Sequence, residues 1–166
     1  MDVTGNCFTE LPEELAGVTS MVRLLCGGNQ LTSLPRALGE HQPALAEISA
    51  PNNALQELPV GLSHCHALVR LHLSGNRIAV MGAPALLGMR ALTELDLRGN
   101  ALTALEPAIG GLTSLKVLDL RENGLTVLPP SIGDCAGLVE LHVGHNQMSG
   151  LPPEIARCGH LSVLDV

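Results

Sequence analysis

Histidines placed beside aliphatic residues are the first side chains in this sequence that could carry chemistry. The stretches LHLSGN (Leu71–Asn76) and LHVGHN (Leu141–Asn146) each set one histidine between two aliphatic residues and end on asparagine. A third stretch, HCH (His64–His66), combines two residue types that bind zinc. An imidazole can serve as a general base, a metal ligand or a pH-sensitive contact. Which role applies depends on whether the fold brings these groups together.

Motif and spacing both argue against catalysis and against a metal site. The chain contains no G-x-S-x-G, no G-x-x-x-x-G-K and no H-E-x-x-H pattern. If Cys65 points into a core, His64 and His66 point away from it, so the three cannot close a tetrahedral site. We therefore predict no catalytic residue, no metal and no cofactor.

The element that positions these residues is a repeat marked by seven asparagines. Successive asparagines are separated by 23, 24, 23, 24, 23 and 23 residues. Around each one recurs the phrase L-x-x-L-x-L-x-x-N-x-L, most cleanly in Leu92–Leu102 and Leu115–Leu125. A period in this range indicates a solenoid whose units stack on their neighbours. With the first leucine as position 1, position 9 holds Asn6, Asn29, Asn53, Asn76, Asn100, Asn123 and Asn146.

Each repeat predicts one strand and one short return arm. The alternating x-L-x-L core predicts a strand with one buried face, and identical strands stack as a parallel sheet. The L-P or L-P-P that follows position 11 predicts a helical or 3₁₀ turn, with proline in its first turn. Two repeats depart from the pattern: Asn76–Asn100 has Met81-Gly82 in place of L-P, and Asn29–Asn53 carries an extra residue near Pro43. We expect local irregularity at both and no change of fold.

The repeated phrase and the L-P-x-x-I arm resemble leucine-rich repeat proteins over the whole chain. The resemblance implies an α/β right-handed solenoid, a horseshoe arc with a parallel sheet on the concave face and short helical or 3₁₀ turns on the convex face. It also implies that the position 9 amides pair with main-chain groups of adjacent turns. We expect a single domain over residues 1–166, with about seven repeats and truncated within a repeat at both ends.

The 23-residue period with its L-P-x-x-I arm is similar to the intracellular Ras-associated class. That class includes Ras-suppressor and scaffold proteins, plant Ras-group repeat proteins and Roco proteins. The resemblance implies a non-catalytic protein–protein interaction scaffold in intracellular signalling, with a cytoplasmic location and a small GTPase or another signalling protein as partner. The alternative is the recognition segment of a larger signalling enzyme, such as a GTPase, kinase, cyclase or ubiquitin ligase, whose catalytic domain lies outside this chain.

The histidines fall at position 5, which points outward from the predicted sheet. Neighbouring strands lie roughly 4.8 Å apart, so His72 should sit beside Asp96, and His142 between Asp119 and Asp165. The two histidines should then be about 14 Å apart, too far to share one metal ion. We predict a mixed-charge partner-binding surface on the concave face, formed by Arg70, His72, Glu94, Asp96, Arg98, Asp119, Arg121, Glu140 and His142.

Composition narrows the function classes further. The net charge of −7, with only nine Lys and Arg, argues against a nucleic-acid partner. No stretch approaches the ~20 apolar residues of a membrane span, which argues against a membrane role. Five cysteines without a C-x-x-C pair favour a reducing compartment, and Cys26, Cys65, Cys135 and Cys158 stand where small core residues belong. Ends without caps would allow end-to-end self-association.

Overall fold

Seven short parallel strands form one open sheet in the computed structural model, which describes residues 1–166. The sheet order follows the chain order, and each strand pairs with the next in register. Every strand spans positions 3 to 5 of its repeat, so the predicted solenoid with one strand per repeat is confirmed. The strands are β1 (Arg23–Leu25), β2 (Glu47–Ser49), β3 (Arg70–His72), β4 (Glu94–Asp96), β5 (Val117–Asp119), β6 (Glu140–His142) and β7 (Val163–Asp165).

The return arms on the convex side are mostly 3₁₀ helices, as the proline positions predict. Where a 3₁₀ helix follows an L-P pair, the first proline, such as Pro12 or Pro129, is its N-cap with extended backbone and does not enter the helix. In an L-P-P pair the second proline takes the first helical position, because a residue before proline is held extended. The 3₁₀ helices are Glu13–Gly17, Val60–His64, Pro107–Gly111, Pro130–Asp134 and Pro153–Arg157.

The two irregular repeats differ in their arms and leave the sheet unchanged. Where Met81-Gly82 replaces L-P, the arm is the α-helix α1 (Ala83–Gly88). In the repeat with the extra residue, residues 36–41 form turns and no helix. There Gln42 is buried, its Oε1 accepts the Gly39 N–H at 2.8 Å and its Nε2 donates to the Leu15 carbonyl at 3.0 Å. Sequence reasoning did not identify this amide, which satisfies the backbone of the distorted arm.

The core is one continuous cluster of 40 buried residues, built almost entirely from aliphatic side chains. Within one repeat Leu115, Leu118, Leu120 and Leu125 are all fully buried. Truncating such a leucine to alanine costs about 2–5 kcal/mol. The α-helix α1 has six residues, far fewer than the roughly 20 apolar residues of a helical membrane span, and no other helix is a candidate span.

The position 9 asparagines join each repeat to the one before it. Asn100 is typical: its Nδ2 donates to the Leu97 carbonyl at 2.9 Å and to the Leu73 carbonyl of the preceding repeat at 3.0 Å. Its Oδ1 accepts the Ile78 N–H of the preceding repeat at 3.0 Å. Asn6 bonds only to carbonyls of its own repeat. The same pattern as at Asn100 recurs at Asn29, Asn53, Asn76, Asn123 and Asn146.

Position 8, directly before each asparagine, has a left-handed backbone in every repeat. Most repeats place glycine or asparagine there, at Gly5, Gly28, Asn52, Gly75 and Gly99. The last two repeats place Glu122 (φ 56°) and His145 (φ 57°) instead. A side chain of this kind costs about 1–2 kcal/mol in the left-handed region. The turn geometry is therefore dictated by the repeat, and two residues adopt it against their own preference.

We predict that Asn100→Ala lowers the free energy of unfolding by about 1–3 kcal/mol, because the Ile78 N–H loses its partner and the Leu73 and Leu97 carbonyls each lose one of their two amide donors. Asn6→Ala is the matched control and should cost less than about 0.5 kcal/mol, since Asn6 is exposed and makes no bond to another repeat. Urea denaturation measures both. Equal losses would contradict the joining role of the amide.

His145→Gly should raise the stability, since glycine adopts the left-handed backbone without strain. We expect a gain of about 0.5–1 kcal/mol after subtracting the extra freedom of glycine in the unfolded chain. The reverse change Gly99→Ala is the control: its Cβ would meet no atom closer than 3.6 Å, so a loss of about 1 kcal/mol would come from the backbone alone. Thermal unfolding checks both, and a destabilised His145→Gly would refute the account.

Candidate functional site

Two rows of side chains cover the concave face of the sheet. The strand register places each residue beside its counterpart in the next repeat. The first row, at position 3, is Arg23, Glu47, Arg70, Glu94, Val117, Glu140 and Val163. The second row, at position 5, is Leu25, Ser49, His72, Asp96, Asp119, His142 and Asp165. Arg98 and Arg121 follow at position 7, so all nine predicted binding residues lie on this face or at its edge.

The first ion-pair cluster surrounds Glu47 at the β1–β3 end of the face. Arg23 Nε donates to Glu47 at 2.8 Å and Arg70 Nη2 donates to the same oxygen at 2.9 Å. The hydrogen bond from Arg70 is the main reason that the pKa of Glu47 lies below its usual value. Glu47 was not among the predicted binding residues, yet it is the buried anion that holds both arginines. Arg70 is therefore less free to meet a partner than its sequence position indicates.

The second cluster lies beyond the carboxyl ends of β4 and β5 and pairs arginines with carboxylates. Asp119 accepts hydrogen bonds from the Arg121 side chain, with Nε to Oδ1 at 3.0 Å. Burial by itself raises the pKa of Asp119, but the hydrogen bonds from Arg121 outweigh it and the pKa is lowered. Arg98 binds Glu122, with Nη2 to Oε1 at 2.6 Å. The hydrogen bond that Arg98 donates to Glu122 raises the pKa of Arg98. Both arginines are thus neutralised within the chain.

The two histidines of the second row have carboxylate neighbours, as the register predicts. His72 pairs with Asp96 across the sheet, but its Nε2 contacts Glu94 at 3.2 Å. His142 lies between Asp119 and Asp165 in the register, and its Nε2 is 3.3 Å from Glu140. The other ring nitrogen, Nδ1, is buried without a hydrogen bond and lies 3.5 Å from Asp165. The histidines sit on different strands and do not form one site.

The cysteines are packed as core residues. Cys26, Cys65, Cys135 and Cys158 are buried, and no cysteine is paired. Burial raises the pKa of Cys26 and Cys135 to about 12 and that of Cys65 to about 11, so these thiols stay protonated at neutral pH. The thiols of Cys135 and Cys158 donate to carbonyls of the preceding arm.

The HCH stretch lies on the convex side with its histidines turned away from Cys65. His64 is exposed beside Ser63, and the His66 ring contacts the Gly88 carbonyl at 2.9 Å. The three side chains therefore do not converge. The concave face remains the surface where charged groups gather.

Sequence reasoning missed Glu47 and Glu122 as members of this surface. Glu47 was visible in the position 3 row, but a charge buried between two arginines cannot be told from an exposed one by register alone. Glu122 lies at position 8, outside the alternating strand residues. The signal that could have found it is the column of glycines at position 8, from which Glu122 departs.

Comparison with known proteins agrees with this geometry. A sequence pattern described as leucine rich repeat matches residues 66–125 and 90–148, which together span half of the chain. No curated protein matches the chain in sequence.

Solved structures provide further relatives. A leucine-rich repeat protein of Leptospira interrogans superposes with a TM-score of 0.94 and 29% identity, covering 99% of this chain and 41% of that one. A second solved structure is the ectodomain of the plant membrane receptor kinase GASSHO1/SCHENGEN3 from Arabidopsis thaliana, in complex with CASPARIAN STRIP INTEGRITY FACTOR 2. It superposes with a TM-score of 0.79 and 28% identity, covering 100% of this chain and 24% of that one. The plant peptide hormone receptor RGFR1 in complex with RGF2 superposes with a TM-score of 0.78 and 25% identity, covering 100% of this chain and 31% of that one.

This chain spans less than half the length of each of these solved relatives. Their folds match it over almost every residue, and the family pattern matches it over half of its length. The chain belongs to the leucine-rich repeat family.

Proposed function

We propose that this chain binds a protein or peptide partner through the concave sheet face and performs no catalysis itself. The observation that carries the proposal is the open face of seven parallel strands, covered by two rows of mostly charged side chains. Leucine-rich repeat domains are typically protein–protein interaction modules, and two solved relatives are described in complex with a named factor. A broad, shallow and charged face suits recognition of another chain better than enclosure of a small substrate.

We further propose an intracellular signalling role, with a small GTPase or another signalling protein as partner and a cytoplasmic location. The 23-residue period with its L-P-x-x-I arm supports the Ras-associated class. The four buried cysteines are unpaired and pack in the core as small apolar side chains, which supports a reducing compartment. The solved plant relatives are receptors, one of them a membrane receptor ectodomain, so location is the part of the proposal that most needs its own test.

A second proposal places this chain as the recognition segment of a larger signalling enzyme, such as a GTPase, kinase, cyclase or ubiquitin ligase. One solved relative, the ectodomain of a plant membrane receptor kinase, is described as part of such an enzyme, which supports this proposal. Sequencing the transcript on both sides of these residues separates the two proposals, because only the second requires a catalytic domain in the same reading frame.

We predict that exchanging the charges of one ion pair on the concave edge weakens partner binding. The double variant Arg98→Glu with Glu122→Arg keeps the ion pair and the net charge but inverts the local electric field. Both side chains are about half exposed, so a partner can contact them. Placing like charges opposite the partner should cost about 2 kcal/mol, or roughly thirtyfold in Kd. Affinity capture from the source cells followed by a binding titration measures the effect.

The matched control is the same exchange on the convex side. Asp134→Arg with Arg157→Asp inverts an exposed pair whose charged atoms are 3.8 Å apart. We expect this variant to capture the partner as the unmodified chain does, with both variants unfolding at the same temperature. Binding lost in the convex variant and kept in the concave one would assign the partner to the other face and refute the proposal.

The oxidation state of the cysteines tests the proposed compartment, and their labelling rates test their burial. In the native chain we expect one cysteine, the exposed Cys7, to react quickly with iodoacetamide, and all five to react after unfolding. The buried thiols are slow because burial keeps them protonated and covered. Cys7→Ser should remove the fast reaction. A disulfide in chain isolated from its own cells, seen as a mass lower by two hydrogens, would contradict a reducing location.

A further inference from the structure

A hollow of about 200 Å³ lies on the concave face between β3 and β5. It is near the middle of the seven strands, and its floor is formed by the sheet itself. The ion pairs described above border the hollow and do not fill it. Its lining residues are His72, Glu94, Leu95, Asp96, Val117 and Asp119.

Among the carboxylates of the two rows, Asp96 alone has no cationic or imidazole partner. Asp119 is held by Arg121, and Glu94 contacts His72. Asp96 Oδ1 accepts the backbone N–H of Arg98 at 3.0 Å, and no Lys, Arg or His nitrogen lies within 4.0 Å of its carboxylate. One carboxylate oxygen of Asp96 is thus free to accept a hydrogen bond from outside the chain.

The arginines of the face cannot satisfy Asp96 without giving up a bond they already have. Arg70 is bound to Glu47, Arg98 to Glu122 and Arg121 to Asp119. The field at the hollow is therefore negative, and the complementary group is a cation. Val117 adds an aliphatic surface in a row that is otherwise charged on both sides of it, at Glu94 and Glu140.

We propose that the hollow receives one arginine or lysine side chain of the partner. The cation lies beside Asp96 and Glu94, and the methylene stem packs against Val117, as long basic side chains do on apolar surface. This inference rests on the proposed function, because it names the partner group that the concave face recognises. No three of the lining side chains are grouped as metal ligands, and the proposed partner is a protein or peptide, so the cation that we propose is a basic side chain.

The probe that isolates this contact is a single residue. N-acetyl-arginine N-methylamide should bind weakly and shift the NMR signals of Glu94, Asp96 and Val117 saturably. N-acetyl-citrulline N-methylamide has nearly the same shape without the charge, and we expect its shifts to be at least about threefold smaller at equal concentration. Raising the salt should weaken the arginine complex, since the contact is open to solvent. Equal shifts with both probes, or shifts spread over the whole chain, would overturn the proposal.

The variant Asp96→Asn keeps the hydrogen bond to the Arg98 N–H and removes the charge. We expect the Kd of the arginine probe to rise about three- to tenfold. Asp134→Asn, on the exposed convex side, removes an equal charge and should leave the Kd within error. An equal rise in the Kd of the arginine probe in both variants would mean a general effect of net charge and would contradict the assignment to the hollow.

The outcomes separate this inference from the proposed function. If the arginine probe fails to bind while the charge exchange at Arg98 and Glu122 still weakens partner binding, the concave face is the binding face and the hollow is not its cation site. If the convex exchange abolishes capture instead, the proposed function fails whatever the probe does. Binding of the probe at Asp96 together with loss of partner affinity in Asp96→Asn supports both.

Discussion

The position 9 asparagine amide is the interaction on which the rest of this structure depends. Except at Asn6, each amide donates to carbonyls of two successive repeats and accepts an N–H of the earlier one, as Asn100 does with Leu97, Leu73 and Ile78. These backbone groups belong to turns and cannot pair within the sheet. Without the amide the N–H would lose its acceptor and each carbonyl would keep only the amide of the neighbouring repeat, at a cost of about 1–3 kcal/mol. The spacing of the asparagines therefore sets the stacking of the whole solenoid.

Once the stacking is set, the residues on the concave surface follow from the alternation of side chains between the two faces of each strand. Leucines at positions 4 and 6 face the core, and positions 3 and 5 face outward in rows separated by one strand spacing. Residues 23 or 24 positions apart become neighbours, which brings Arg98 to Glu122 and His72 to Asp96. Outward residues other than the buried Glu47 can change without disturbing the core, so the face can be adapted to a partner.

The sequence predicts the sheet, its register and the burial of the cysteines, because each depends on one residue type at a fixed spacing. It does not predict which charges cancel. The register places Glu47 between Arg23 and Arg70, and Asp96 between His72 and Asp119. That the His72 ring contacts Glu94 and leaves Asp96 without a partner depends on side-chain conformation, which register does not give. It also does not predict Gln42, where one inserted residue changes the path of an arm and a buried amide compensates.

The most direct measurement of the central claim is carboxylate footprinting of the chain with its captured partner. Carbodiimide coupling of glycine ethyl ester, read by mass spectrometry, reports the accessibility of individual acidic side chains. The account predicts that the partner slows the labelling of Glu94, Asp96 and Glu140 on the concave face and leaves Asp134 and Glu154 on the convex side unchanged. Protection of Asp134 and Glu154, with Glu94, Asp96 and Glu140 labelled as in the free chain, would contradict it.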